Sequence, residues 1–216
     1  MGSAGRAPRT ARLFVAVDPP APVAAELARW ARWALEPGEA SSARARPGRA
    51  PSDGIRRVDA GALHITLCFL GDQPLDVADE VADLIRAALA GLALAGQSVA
   101  PLGIGAPVWL PPRRPRALAL EVHDESGWLT ALHDDLRVGL GAAIGWEPER
   151  RRFRAHITVV RLRSWAAPPA CFEPTPALVF EPESVTVYRS RLEPDGATYQ
   201  PLARIGLDRD SSTLDA

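Results

Sequence analysis

Hydrophobic positions follow two different periods along the chain, and these periods predict its elements. Stretches rich in β-branched and apolar residues predict strands at residues 12–17, 62–72, 97–110, 116–122, 155–162, 184–192 and 197–207. Apolar residues three or four positions apart predict helices over residues 23–34, 77–89 and 128–140. Asp18, at the end of the first strand, is in position to cap the first helix. Because the elements lack a regular βαβ alternation, the order predicts an α+β fold.

Three segments fall outside this pattern. Residues 1–11 are polar and basic and are predicted to form a disordered tail, and residues 208–216 are predicted to fray. Residues 37–54 form a long loop rich in proline and glycine, which predicts a mobile or functional segment. The remaining residues, 12–207, are predicted to fold as a single domain.

The chain repeats one short phrase, "LHITLC" in its first half and "AHITVV" in its second. Because successive side chains of a strand point to opposite faces, His64 shares a face with Thr66, and His156 shares one with Thr158. The isoleucine inside each phrase then points into the core. One such strand in each half of the chain predicts two lobes whose histidine–threonine pairs line a common cleft.

These side chains suit phosphate-ester chemistry without a metal. A neutral histidine can take a proton from a nucleophile while a protonated one gives a proton to the leaving oxygen, and each transfer contributes about 10²–10⁴ in rate. Threonine hydroxyls can donate hydrogen bonds to phosphate oxygens. Arg161 is a candidate for neutralising the phosphate. On a straight strand Arg161 points away from His156, so a bend would be needed to bring it round.

Charge and composition narrow the partners. The net charge is −1 and all 25 basic residues are arginines, which argues against a protein that coats long polyanions and suits an RNA end or a small nucleotide. No apolar run reaches the roughly 18 residues of a membrane helix, and no secretory signal begins the chain, so a cytoplasmic monomer is expected. Cys68 and Cys171 lie too far apart in sequence to indicate a zinc or disulfide framework.

Other interpretations remain open on these residues. A lone strand histidine is more often structural than catalytic, so the enzymatic hypothesis depends on having two. His123 and His133 lie near aspartates, but their spacing fits no standard metal-ligand set. The alternative of another class is a non-catalytic RNA-binding module, which displays aromatic residues on its sheet. Phe69 and Phe153 have the wrong parity for this on straight strands, which disfavours that alternative.

The chain resembles the two-histidine phosphoesterases, in particular the bacterial and archaeal RNA 2',3'-cyclic phosphodiesterases once named 2'-5' RNA ligases. The resemblance covers about residues 12–206 and is carried by "RLFVAVDPP", "LHITLCFLGD", "FRAHITVVR" and "VYRSRLEPDGATYQPL". It implies two pseudo-symmetric lobes, each an antiparallel sheet flanked by helices, with the active site in the cleft between them.

The resemblance also implies a reaction. Water opens a terminal 2',3'-cyclic phosphate on RNA and leaves a 2'-phosphate, with neither metal nor cofactor. His64 and His156 are then the catalytic pair, and Thr66 and Thr158 hold the phosphate. His64 is expected to act as acid toward the 3' oxygen and His156 as base on water, and the reverse assignment stays open. A small cyclic-phosphate nucleotide as substrate, reversible 2'-5' ligation, and a metal-dependent phosphodiesterase are the alternatives.

Two positions depart from the family pattern. Relatives usually have an aromatic residue, commonly tryptophan, seven positions before the first histidine, and here that residue is Arg57. They usually have proline directly before the second histidine, and here it is Ala155. The first change puts a stacking or packing contact in doubt, and the second removes a backbone constraint.

Overall fold

The structure is a computed structural model that describes residues 10–34, 54–149, 151–163, 174–193 and 196–207. Most of the two predicted tails and of the predicted 37–54 loop lies outside these residues, so those three predictions stay predictions. The division of the chain into a tail (1–11), a single domain (12–207) and a second tail (208–216) also stays a prediction.

The described residues form three α-helices and nine β-strands, which confirms the predicted α+β class. The helices are α1 (Ala21–Trp33), α2 (Val77–Leu94) and α3 (Trp128–Ile144). The strands are β1 (Thr10–Asp18), β2 (Ile55–Arg57), β3 (Ile65–Pro74), β4 (Leu102–Leu110), β5 (Ala117–His123), β6 (His156–Leu162), β7 (Val179–Phe180), β8 (Ser184–Glu193) and β9 (Gly196–Gly206).

The element boundaries differ from the sequence pattern in several places. Strand β4 begins at Leu102, five residues after the predicted start, and residues 97–101 have no regular secondary structure. Strands β2 and β7 were not predicted, because three and two residues are too few to display an alternation. Strand β1 begins at Thr10, two residues before the predicted start, because Thr10 and Ala11 pair with Pro74 and Gln73 of β3.

The strands form one sheet in the order β7-β4-β5-β6-β3-β1-β8-β9, and β2, which lies outside this order, pairs with residues 160–162 of β6. Every described pairing is antiparallel. Strands β3 and β6 pair only at Ile65 and Ile157, so the two halves of the sheet are joined where both His-Ile-Thr phrases begin. The division into two lobes with a cleft between them stays a prediction.

The two faces of the sheet differ. The helices cover one face, and the main core lies between them and strand residues such as Leu13, Ile65 and Ile157, all fully buried. The opposite face carries a small aromatic cluster built on Phe14 and Tyr188. Burial of large apolar side chains at about 1.5–3 kcal/mol each makes the helix-covered face the main source of stability. No helix in the described ranges is long and apolar enough to cross a membrane.

Candidate active site

The register of β3 and β6 brings the two repeated phrases together. Ile65 and Ile157 are paired, fully buried, and point into the core. The antiparallel register places the neighbours of these isoleucines in pairs: His64 lies opposite Thr158, and Thr66 lies opposite His156. All four polar side chains are half-buried on the face opposite the helices. The two histidines therefore occupy diagonal positions, which are about 7–8 Å apart in a regular sheet.

Both histidines are held in the same way. His64 Nδ1 lies 2.8 Å from the carbonyl oxygen of Ala62, and His156 Nδ1 lies 2.8 Å from that of Arg154. Because a carbonyl can only accept, each Nδ1 carries the hydrogen and donates it. This leaves Nε2 of each ring, in its neutral form, as an acceptor for a proton from substrate or water.

Aromatic rings surround His64. Its ring centroid lies 4.9 Å from that of Phe14 and 5.1 Å from that of Tyr199, which meets it edge-on. Burial lowers the pKa of His64 to about 4, against the opposing effect of the Ala62 carbonyl and of the Asp18 charge. His64 is therefore neutral at pH 7 in the unliganded protein.

The low pKa of His64 predicts a loss of stability in acid. The unfolded histidine binds a proton near pH 6.5 and the folded one only near pH 4, so the free energy of unfolding falls as the pH drops through this window. The fall contributed by His64 is at most about 3 kcal/mol. Urea unfolding at pH 7, 5.5 and 4.5 measures it, and His64→Gln should flatten this part of the curve. An equally steep curve in the variant would contradict the prediction.

A β-bulge turns Arg161 toward the histidines. Leu118 of β5 pairs with Val160 and the next residue, Ala119, pairs with Thr158, so β6 contains one extra residue, Val159. The extra residue reverses the parity beyond it, and Arg161 comes to lie on the face of Thr158. Its Nη2 lies 3.5 Å from the hydroxyl of Tyr199, and its charge lowers the pKa of His64. The bend that the sequence required for Arg161 is this bulge.

A second bulge gives the same result for Phe69, and the expectation that Phe69 faces away from the histidines is wrong. Val15 of β1 pairs with Cys68, and Ala16 pairs with Thr66, so β3 carries an extra residue between them. Phe69 lies on the site face with 52% of its surface exposed, 6.0 Å from Phe14 between ring centroids. The available sequence signal was the spacing, since Phe69 and Arg161 each follow their histidine by five residues.

Asp18 does not cap a helix. Helix α1 has Pro20 at its N-cap position and no side-chain cap. The Asp18 carboxylate is buried on the site face, where it accepts hydrogen bonds from three β8 hydroxyls: Ser184 Oγ, Thr186 Oγ1 and Tyr188 OH. Burial and the Asp18 charge raise the pKa of Tyr188 to about 12. The β8 hydroxyls attract this carboxylate more strongly than a helix terminus would, because together they replace its lost hydration.

Arg57, at the position where relatives usually have an aromatic residue, faces helix α1. Arg57 pairs with Val160, a core residue, and its Nη2 donates to the carbonyl of Arg32 in α1 at 3.3 Å. An aromatic side chain at position 57 would therefore pack against α1 and would not stack on a base at the site. Its neighbour Arg56 lies opposite Arg161 and so shares the site face, a residue that the sequence pattern did not single out.

The two other histidines lie elsewhere. His133 pairs with Asp134 at 3.0 Å and stacks on Phe153 with ring centroids 4.5 Å apart. His123 lies at the end of β5 against Gly105, where a Cβ atom would come within 2.3 Å of its ring. Both histidines therefore lie away from the two His-Ile-Thr phrases.

Comparisons with known proteins identify the family of this chain. Residues 18–193 match the family described as the 2'-5' RNA ligase superfamily. An RNA 2',3'-cyclic phosphodiesterase from Aeropyrum pernix is 29% identical over 109 residues, which are 50% of this chain and 58% of that protein's length.

Solved structures show the same architecture. The E. coli LigT structure with 3'-AMP has a TM-score of 0.68 and 26% identity, covering 93% of this chain and all of that one. The TT0787 structure from Thermus thermophilus has a TM-score of 0.65 and 26% identity, covering 91% of this chain and 97% of that one. With a family match across most of the chain and two H-x-T phrases meeting on one face, this protein belongs to the 2'-5' RNA ligase superfamily.

Proposed function

We propose that this protein hydrolyses a 2',3'-cyclic phosphate at the end of an RNA to a 2'-phosphate, using two histidines and no metal. The observation that carries the proposal is the pair of imidazoles on one face, each with Nδ1 bound to a carbonyl and Nε2 available. A phosphate group between diagonal strand positions lies within reach of both Nε2 atoms.

The reaction needs one proton taken and one given. A water oxygen attacks phosphorus as the bond from phosphorus to the 3' oxygen breaks, and the bond to the 2' oxygen is kept. The proton of water goes to Nε2 of His156, and protonated His64 gives its proton to the departing 3' oxygen. Since His64 is neutral at pH 7 in the unliganded protein, this assignment requires the bound phosphate to raise its pKa. The reverse assignment requires no such rise.

The same face supplies groups for the charge on the phosphate. Thr66 and Thr158 offer hydroxyl donors beside the histidines. Arg161 offers a guanidinium that suits two phosphate oxygens at once. Such donors accelerate the reaction to the extent that they bind the charge of the transition state better than that of the substrate.

The substrate class rests on three supports. The Aeropyrum pernix relative is named an RNA 2',3'-cyclic phosphodiesterase, and the E. coli neighbour was solved with a nucleotide, 3'-AMP. The net charge of −1 suits an RNA end, since a protein that tracks a long backbone needs a broad basic surface. The exposed ring of Phe69 beside the histidines suits a nucleobase next to the phosphate.

The experiment that tests this function uses an RNA oligonucleotide ending in a 2',3'-cyclic phosphate, in the presence of EDTA. We expect turnover that is insensitive to the chelator and a product carrying only a 2'-phosphate. Loss of turnover in EDTA, restored by a divalent cation, would favour the metal-dependent alternative. Tight binding without turnover would favour the RNA-binding module.

Phe69→Ala is expected to weaken recognition of the base and not of the phosphate. Stacking of a base on an aromatic ring contributes about 1–3 kcal/mol, so kcat/KM on adenosine 2',3'-cyclic phosphate should fall about 5- to 150-fold. The matched substrate is methyl riboside 2',3'-cyclic phosphate, which has no base and should react equally fast with both proteins. Phe69→Trp should retain the wild-type preference.

Two outcomes would contradict the role of Phe69. An equal fall on both substrates would indicate that Phe69 acts through packing on the site, and no fall on either would indicate that the base lies elsewhere. Leu94→Ala, which changes an exposed apolar residue on α2, is the control and should leave both rates unchanged.

A further inference from the structure

The carbonyls that hold the two histidines are themselves held differently. Ala62, which accepts from His64, lies in a 3₁₀ helix (Ala60–Ala62) closed by backbone bonds from Ala62 N–H to Asp59 and from Leu63 N–H to Ala60. Arg154, which accepts from His156, lies in residues 152–155, which have no regular secondary structure. The described backbone bond nearest to its carbonyl is one residue later, from Val122 N–H to Ala155.

A side-chain contact takes the place of the 3₁₀ helix at the second histidine. Arg154 Nη2 donates to Glu121 Oε1 at 2.7 Å. Glu121 lies on β5 directly opposite His156, so the two are nearest neighbours across the sheet. The contacts form a closed loop, from His156 Nδ1 to the Arg154 carbonyl, along the Arg154 side chain to Glu121, and back across the strand pair to His156.

We propose that the Arg154–Glu121 ion pair is a positioning device for His156, which keeps the ring in its Nδ1–H form with Nε2 directed at the phosphate. The proposal deepens the proposed function and rests on it for its consequence in catalysis. Residue 155 is alanine, so its backbone φ is not restricted by a ring as proline would restrict it, and the segment needs another constraint. The ion pair supplies one within two residues of the histidine.

The exposure of the pair argues for orientation over stability. The side chains of Arg154 and Glu121 are 65% and 34% exposed, and ion pairs of this kind contribute little to folding. A small loss of alignment, in contrast, changes a proton transfer directly, because the transfer depends on the direction of Nε2. The protein should therefore remain folded without the ion pair, while the His156 ring populates more than one orientation and tautomer.

The test is the tautomer of each histidine, measured by long-range ¹H–¹⁵N correlation of the imidazole nitrogens at a pH where both rings are neutral. In the wild-type protein His64 and His156 should both show the Nδ1–H pattern. In Arg154→Ala, and more weakly in Glu121→Gln, His156 should become a mixture of tautomers while His64 stays unchanged. Spectra of His64→Gln and His156→Gln assign the two signals.

Activity gives the second measurement. Arg154→Ala should lower kcat by about three- to tenfold with KM nearly unchanged. The double variant Arg154→Glu with Glu121→Arg rebuilds the ion pair in reverse and should recover both the tautomer and the rate. Arg86→Ala is the matched control, since Arg86 is an exposed arginine paired with Asp83 on α2, and it should change neither.

An unchanged Nδ1–H pattern for His156 in Arg154→Ala would overturn the proposal. Equal changes at His64 and His156 would overturn it too, because they would indicate a general disturbance of the sheet. The spectra need no turnover, so failure of the proposed function is seen separately. In that case the wild-type protein would open no cyclic phosphate while the response of the His156 tautomer would remain.

Discussion

Alanine in place of His64 or His156 is expected to lower kcat on a 2',3'-cyclic phosphate end by about 10²–10⁴ for each variant. Each substitution removes one of the two Nε2 atoms that the proposed reaction needs, one to take a proton and one to give it. Neither ring belongs to the main core, so both variants should fold. Single-turnover hydrolysis in EDTA at saturating substrate measures the chemical step, and the double variant should lose little more than the worse single one.

The control for this prediction is another histidine of the same chain. His133 lies on α3, away from the paired phrases, where it contacts the Asp134 carboxylate and the ring of Phe153. His133→Ala should keep wild-type activity. If either active-site variant retained activity within tenfold of wild type, the two-histidine mechanism would be wrong.

The pH dependence of kcat/KM decides the roles of the two histidines, because it reports the ionisation of the free enzyme. If His64 is the acid, its protonated fraction falls as the pH rises above about 4, and kcat/KM should already decline between pH 5 and 7. If His64 is the base, its neutral form persists down to about pH 4, and kcat/KM should not fall on that account between pH 7 and 5. The limb that belongs to His64 should disappear in His64→Ala.

Asp18→Ala is expected to lower the free energy of unfolding by about 3 kcal/mol or more. The buried carboxylate is the shared acceptor of Ser184, Thr186 and Tyr188, and a hydrogen bond to a charged group contributes about 1.5–3 kcal/mol. Its removal leaves buried hydroxyls without that acceptor, which adds a desolvation penalty. Urea unfolding at pH 7 measures the loss. The free energy of unfolding of Asp18→Asn should lie between those of the wild-type protein and Asp18→Ala.

An exposed carboxylate provides the comparison for Asp18. Asp79 lies in the first turn of α2 and faces solvent, so Asp79→Ala should change the free energy of unfolding by no more than about 1 kcal/mol. Equal stabilities for Asp18→Ala and Asp79→Ala would mean that the hydroxyl cluster is not a source of stability. The prediction concerns folding, and it holds whatever the substrate is.

Local patterns were sufficient for most of the elements and for the faces on which the two histidine–threonine pairs lie. The period of two over "LHITLC" and "AHITVV" requires each histidine to share a face with its threonine and each isoleucine to point inward, and Ile65 and Ile157 are fully buried. The helical spacing of apolar residues located α1, α2 and α3, because their buried faces satisfy a 3.6-residue period.

Local patterns failed where one strand depends on another. The alternation of a straight strand places Phe69 and Arg161 on the face opposite the histidines, and this is wrong for both residues. A bulge depends on the register with a neighbouring strand, and that register cannot be inferred from adjacent residues. Asp18 was predicted to be a helix cap because its sequence neighbours suit one. Its partners on β8 follow more than 160 residues later, and they were out of reach of a local argument.

The sequence by itself therefore determined the α+β class, most strand and helix positions, and the pairing of His64 and His156 with their threonines, because these depend on short-range periodicity and on a repeated phrase. Only the tertiary structure decided which side chains join them: Phe69 and Arg161 by way of bulges, Asp18 by way of the β8 hydroxyls, and Glu121 by its position opposite His156. The physical reason is that strand register and cross-strand neighbours arise from contacts between distant segments, which form only when the sheet is assembled.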